Sequence, residues 1–328
     1  MKRSTCLCAL LAIASFLFSG AAFAQTTYHA FIWSASNGMQ DLGSLGGSSY
    51  AQSINASGEV VGYYVSVLDD LRPFLWTQSG GMQDLGTLGG SSGVANGIND
   101  SGQIAGWATT VAGLAHACVW STSDGIKDLG TLGGSTSSAT GINKAGQIAG
   151  TSTKPGDHYN HAFLWSGQTG MSDLGALPGQ NSYAFGINGS ALVVGESTLT
   201  SGVIPYRAFL RTRRSIGDLG AFGGGNSIAV AINDSGIVVG NSDNLAFVWT
   251  RSGGMQSLGP LGTNFSAAIG INSLGVIVGN YQLTSPTFHA VIWTAPTQIQ
   301  DLGVLGGTYS TATGINDSGQ VAGYSTLQ

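Results

Sequence analysis

Short apolar runs, each closed by glycine and small polar residues, recur along the chain from about residue 28 to its end. The stretch after Gly90 shows the pattern. "VANGIN" (Val94–Asn99) is followed by "DSG" and then by "QIAGW" (Gln103–Trp107). A variable loop leads to "HACVW" (His116–Trp120), and the turn "STSDG" leads to "IKDLG" (Ile126–Gly130). Runs of about five β-branched or aromatic residues bounded by Gly, Asn, Asp and Ser read as strands. We label them a, b, c and d. "NDSG" is hairpin chemistry, because Asn and Asp close local side-chain bonds and Gly accepts positive φ. No helical period appears beyond the N-terminal segment, so the expected class is all-β.

The unit is written seven times. Its Asn falls at Asn55, Asn99, Asn143, Asn188, Asn233, Asn272 and Asn316, in steps of 44, 44, 45, 45, 39 and 44 residues. A fixed period of this size marks a propeller, a solenoid or an array. A lone four-stranded sheet cannot bury both faces, whereas seven stacked radially can. The expected fold is a seven-bladed β-propeller of four-stranded antiparallel blades, with a β-solenoid as the alternative. The repeat begins with c and d (His29–Trp33, Met39–Leu42) and finishes with a and b (Thr311–Asn316, Gln320–Tyr324). The last blade is therefore expected to be closed by both termini, which leaves no open sheet edge; a solenoid would carry distinct caps instead. Within strand a, Ala recurs at Ala51, Ala95, Ala139, Ala184, Ala229, Ala268 and Ala312, with Ile three positions on. In a regular strand that odd spacing predicts opposite faces.

The N-terminus adds a compartment. Met1-Lys2-Arg3 precedes an apolar run from Cys6 to Phe18 and small residues at Ala22 and Ala24. This is the pattern of a secretory signal peptide over residues 1–24, leaving residues 25–328 as one domain. The expected location is extracellular or periplasmic, with no membrane span. Cys118 alone then remains, in an apolar column, which predicts a buried inert thiol. Charged residues are 8% of the chain, and the formal charge of −5 becomes −7 once Lys2 and Arg3 leave. That balance argues against nucleic acid as a partner, and a monomer is expected.

The elements "HAF-W", "DLG-LGG" and "GIN-DSG-VVG" resemble the HAF-family extracellular repeat of bacterial exported proteins. The resemblance covers all seven units and implies bacterial origin, export and a β-propeller-like fold. It implies no activity and no catalytic residues. Three places depart from the pattern: Arg211 replaces Trp, Ser257 replaces the Asp of "DLG", and the b–c connection after Gly240 is short.

Recurring residues read first as architecture. His29, His116, His161 and His289 stand on different blades and cannot share a metal. Six Trp and six Asp form further columns, and copies on separate blades do not make the close carboxylate pair that hydrolysis needs. "LGGSS" lacks the Lys and helix of a phosphate loop. No cofactor, metal site or catalytic residue is expected. Function should lie where units differ. The d–a and b–c loops emerge on one face, and the b–c loops vary. The column after the strand b glycine leads into them as Tyr63, Trp107, Thr151, Glu196, Asn241, Asn280 and Tyr324. With Asp157, His158 and Tyr159 of one loop, these are the expected ligand-binding residues: Tyr63, Trp107, Glu196, Asn241, Asn280 and Tyr324 from the column. Aromatic rings beside amides and carboxylates suit a glycan or protein ligand. Tyr63 and Trp107 would form an aromatic platform, and removing the Trp107 ring should cost little stability because strand ends pack little. The alternative is a secreted hydrolase or lyase at the same face, using Glu196 with Asp157 or His158. Arg207, Arg211, Arg213 and Arg214 form the one basic cluster, read as solvated turn residues or a partner contact.

Overall fold

Each repeat forms the four strands its pattern predicts. In a computed structural model they make seven four-stranded antiparallel sheets, each in the order a-b-c-d. The structure describes residues 26–199, 206–259, 265–284, 287–295 and 298–328; the segment expected to be a signal peptide lies outside them. We number the blades by their Asn, from blade 1 (Asn55) to blade 7 (Asn316). Strand a of every blade touches strand a of both neighbours, and the last contact runs from blade 7 back to blade 1. The sheets therefore form a closed seven-bladed β-propeller with strand a innermost. Blade 7 combines Ser310–Ile315 and Val321–Thr326 with Tyr28–Ser34 and Gly38–Asp41. Phe31 pairs with Gly323 at the join, so both ends of the repeat region are locked into one sheet.

The core is divided among the seams. Seven apolar clusters occur among the described residues, one between each pair of adjacent blades. The strand c column Phe31, Phe74, Cys118, Phe163, Phe209, Phe247 and Val291 is fully buried. Burial of each such side chain contributes roughly 1.5–3 kcal/mol. Cys118 is free and buried, and desolvation pushes its thiol up.

The Ala and Ile columns of strand a do not face opposite ways. Ala51 and Ile54 share the seam between blades 7 and 1, and Ala95 and Ile98 share the next one. The cause is a β-bulge in strand a of every blade, as between Ala51 and Ser53 or Ala312 and Gly314. One extra residue reverses the alternation, so a spacing of three returns to the same face. The bulge also explains the glycine of strand b. A Cβ on Gly62 would overlap the Tyr50 carbonyl oxygen, and one on Gly195 that of Tyr183.

The recurrent Asn joins the blades. Its Oδ1 accepts backbone amides of its own a–b turn, as from Ala145 (3.0 Å) and Gln147 (2.9 Å) to Asn143. Its Nδ2 donates to the carbonyl of the equivalent Asn in the next blade: Asn55 to Asn99, Asn99 to Asn143, and so on around. Asn316 donates to Asn55 at 3.0 Å and closes the circuit. All seven Asn are buried. Asn143→Ala should destabilise the protein by about 2–4 kcal/mol, because the Asn188 carbonyl and two turn amides lose their partner. Chemical denaturation measures this, and a loss below ~0.5 kcal/mol would show the circuit to be incidental.

Candidate functional site

The antiparallel order puts the a–b and c–d turns on one face of the ring and the b–c and d–a loops on the other. On the loop face a serine recurs at the start of strand a. Ser49, Ser137, Ser182, Ser227, Ser266 and Ser310 each accept the amide of a strand c residue in the preceding blade at 2.8–2.9 Å. Blade 2 has Gly93 there. The strand d Asp turns back to the amide two residues on, as from Gly43 to Asp41 at 2.7 Å. The same carboxylates take the repeat histidines: His29, His116, His161 and His289 reach Asp41, Asp128, Asp173 and Asp301 at 2.8–2.9 Å. In blade 1 Arg72 replaces His and pairs with Asp84 at 2.8 Å. The His and Asp columns are joinery at the outer strands, and the Ser column joins strand a to the preceding blade. Among the described residues, no group of three His, Cys, Asp or Glu could hold a metal ion.

The variable column of strand b stands at the tops of the seams. Val61, Val194 and Ala322 pack on the next blade, so the residues two positions on, Tyr63, Glu196 and Tyr324, face that neighbour too. Asn241 confirms the direction, its Oδ1 accepting the Ala268 amide of blade 6 at 3.0 Å. This differs from a row of solvated strand ends: Tyr63, Glu196 and Asn280 are only 5%, 7% and 4% exposed. Trp107, Asn241 and Tyr324 are partly buried.

Tyr63 and Trp107 do not form the expected platform. Tyr63 stacks on its register partner Tyr50, with centroids 4.9 Å apart and planes 18° from parallel. Trp107 makes no ring pair among the described residues. The aromatic assembly instead sits at the closing seam, where Tyr50 meets Tyr324 edge-on at 5.0 Å and Tyr28 at 5.5 Å. Tyr309 joins through Tyr324 at 6.2 Å. Burial raises the pKa of Tyr28, Tyr50, Tyr63, Tyr309 and Tyr324, so all five keep their hydroxyl protons. Sequence reading missed this cluster because Tyr28, Tyr50 and Tyr309 lie in three different strand contexts.

Two column members hold buried oxygens without a hydrogen-bond partner: Glu196 Oε2 and Asn280 Oδ1. Burial alone pushes the Glu196 carboxyl up to about 7. A second carboxylate within pairing distance would add to that shift, and none does. Asp157 is committed elsewhere: it lies in the b–c loop of blade 3 and accepts the Ser135 amide at 2.7 Å, the first of the bonds that lower its pKa. His158 and Tyr159 are exposed in that loop, edge to face at 6.4 Å. Of the basic cluster, Arg207 donates to the carbonyls of Gly224 and Gly225, Arg211 keeps a buried Nε without a partner, and Arg213 and Arg214 are exposed.

The short b–c connection of blade 5 opens a cleft. Only Asp243 and Asn244 separate Val238–Ser242 from Leu245–Thr250. The cleft is about 310 Å³ and is lined by Tyr206 of blade 4 and by Asn226, Ser227, Ile228, Asn241, Asp243 and Asn244 of blade 5. After burial, the negative charges of Glu196 and Asp243 raise the Tyr206 hydroxyl.

No family model matches this chain, and no curated protein does. Solved structures do. The chain is similar to the β-propeller domain of the Trilobed protease from Pyrococcus furiosus, with a TM-score of 0.52 and 10% identity over 82% of this chain and 86% of that one. It is similar also to virginiamycin B lyase from Staphylococcus aureus, with a TM-score of 0.51 and 11% identity over 92% of this chain and 100% of that one. At such identities the likeness is one of fold. No helix among the described residues is long and apolar enough to cross a membrane.

The burial of Tyr63 overturns, at that position, the expectation that strand ends pack little. Tyr63→Ala should cost about 3–5 kcal/mol by emptying the space between Tyr50 and blade 2. Tyr63→Phe should stay within ~1 kcal/mol, since its hydroxyl makes no hydrogen bond among the described residues. Equal stability of the two variants in thermal melts would contradict the packing described.

Proposed function

We propose that this chain is a non-catalytic binding or scaffolding propeller, exported by its N-terminal segment, whose glycan or protein ligand docks on the d–a/b–c loop face. The observation that carries this is the asymmetry of the two faces. The a–b turns are near copies, tied to one another by the Asn circuit. The opposite face carries the loops that differ, and every exposed large apolar side chain among the described residues except Leu274 stands there. Val67, Leu68 and Val111 are 89%, 80% and 87% exposed, in the b–c loops of adjacent blades 1 and 2. Apolar groups held in water on a rigid frame favour association. The proposed membership of the HAF repeat family, and the export that goes with it, rest on the sequence motifs.

The rival reading, a hydrolase or lyase, draws on the neutral-range carboxyl of Glu196. A lone buried acid can move a proton, but paired-acid chemistry needs a second group beside it, and Asp157 is bonded to Ser135 in another blade.

A glycan array and an exported-protein library, both probed with the mature chain, identify the ligand. A Val67→Glu, Leu68→Glu double variant should then bind at least several-fold more weakly with unchanged stability, because both side chains are in water. Leu274→Glu on the opposite face should bind as the wild type does. If the Leu274 variant is the one that loses affinity, the face assignment is wrong.

A further inference from the structure

The cleft between blades 4 and 5 differs from the other seams in charge. Glu196 pairs in register with Ala208, and Thr198 with Tyr206, so Glu196 and Tyr206 stand on the same sheet face, Glu196 one step deeper. Opposite, the turn of blade 5 brings Asp243 to the rim. The rim is fixed by its own bonds. Asp243 accepts the Asn226 amide at 3.1 Å and donates its own amide to the Asn226 carbonyl at 3.0 Å. Asn226 Oδ1 in turn accepts the Tyr206 amide at 3.2 Å. Two carboxylates thus flank one aromatic ring, and no basic side chain pairs with either among the described residues. Arg207, next in sequence to Tyr206, turns instead to the Gly224 and Gly225 carbonyls. Glu196 is more than nine-tenths buried, and its Oε2 has no partner. A buried acceptor of this kind is costly unless a donor reaches it.

We propose that this cleft is a binding site for an alkylammonium group, held against Tyr206 and the carboxylate of Asp243, with Glu196, buried below Tyr206 on the same sheet face, supplying a second negative charge. An ammonium has three N–H donors and a full positive charge, which match a rim carboxylate and the unpaired negative charge beneath it. A ring beside carboxylates is the arrangement that attracts such a cation. The volume of about 310 Å³ fits a small amine or one lysine-like side chain, at the lower end of small-ligand pockets. The proposal rests on the reading of the loop face as the ligand face and names the chemistry of one place on it.

Binding should depend on pH through Glu196. Tyr183, its register partner in strand a, and Tyr206 of strand c stand on the same sheet face as Glu196, and Asp243 of the next blade lies across the cleft from Tyr206; the Tyr183 hydroxyl also accepts from Asn160 at 3.4 Å. Burial pushes the Glu196 carboxyl up to about 7. A cation favours the ionised form, so affinity should fall as pH drops through that value, by about tenfold between about pH 8 and about pH 6.

The test is a titration of the full mature chain with cadaverine and, separately, with neutral pentanediol, followed by amide NMR and calorimetry. Cadaverine should shift Asn241, Asp243 and Asn244, and pentanediol should not. Glu196→Gln should weaken cadaverine binding about tenfold at about pH 8 and remove the pH dependence. Asp243→Asn, which keeps the acceptor for the Asn226 amide, should weaken it without moving the melting point. The proposal is overturned by equal binding of the two probes, by no shift at the cleft with cadaverine, or by Glu196→Gln and Asp243→Asn variants that bind like the wild type. Those results would leave the loop-face reading standing, since that reading is decided by the Val67, Leu68 and Leu274 variants.

Discussion

One hydrogen bond, repeated seven times, sets the geometry of this molecule. The side chain of the "IN" asparagine closes the turn of its own blade through Oδ1 and reaches the neighbouring blade through Nδ2. Both functions need an amide of this length, and they need it buried, where an exposed competitor cannot replace it. At about 1 kcal/mol net for each link, the circuit is worth on the order of 7 kcal/mol, comparable to the whole stability of an ordinary domain. It also holds neighbouring inner strands close. A Cβ on Gly97 would already sit at contact distance, 3.5 Å, from the backbone of Ile142, and one on Gly186 at 2.9 Å from the Val230 carbonyl. Small residues before the Ile of "GIN" follow from the bond two positions later.

The ring turns this local rule into a global one. In a linear stack the end units face water and need caps. Here the bond from Asn316 to Asn55 and the pairing of Phe31 with Gly323 close the ring, so every blade has two neighbours. The aromatic cluster of Tyr28, Tyr50, Tyr309 and Tyr324 lies across that join, where segments from opposite ends of the chain meet. The closing blade joins strands far apart in sequence, the costliest loop to close, so a large apolar contact at its join is physically well placed to hold it.

What could be read from the sequence was whatever repeats. Seven units, four strands in each, and a blade shared by the two ends all follow from counting. The faces of strand a could not be read that way, because a bulge after Ala51 adds one residue without changing the motif. Nor could the burial of Tyr63, Glu196 and Asn280: a strand end looks solvated in one dimension, and only the ring places it against the next blade. The expected pairing of Tyr63 with Trp107 assumed that neighbouring blades bring equivalent positions together, whereas Tyr63 found its partner on its own strand a. The cleft left a visible trace, the step of 39 residues from Asn233 to Asn272. Of its chemistry only Glu196 and Asn241 showed, as members of the variable column; Tyr206 and Asp243 did not, since they come from two successive repeats.

The same constraint decides where the molecule can vary. A change in an a–b turn disturbs an asparagine bonded to two blades, and some turns carry further links. Asp100 accepts the Ala56 amide of the preceding blade at 2.9 Å, and Asp317 that of Ser273 at 2.9 Å. Lys144 passes over the bare Gly189 to reach Asp234 two blades on, at 3.0 Å. The b–c loops sit at the other end of the strands and close nothing between a strands. Blade 5 can therefore shorten its loop to Asp243 and Asn244 and still form its four strands in register. A ring whose a–b turns are bonded to one another leaves the b–c loops of the opposite face as the place where length and charge can change, and near them the unpartnered carboxyl of Glu196 and the exposed Val67 and Leu68 are found.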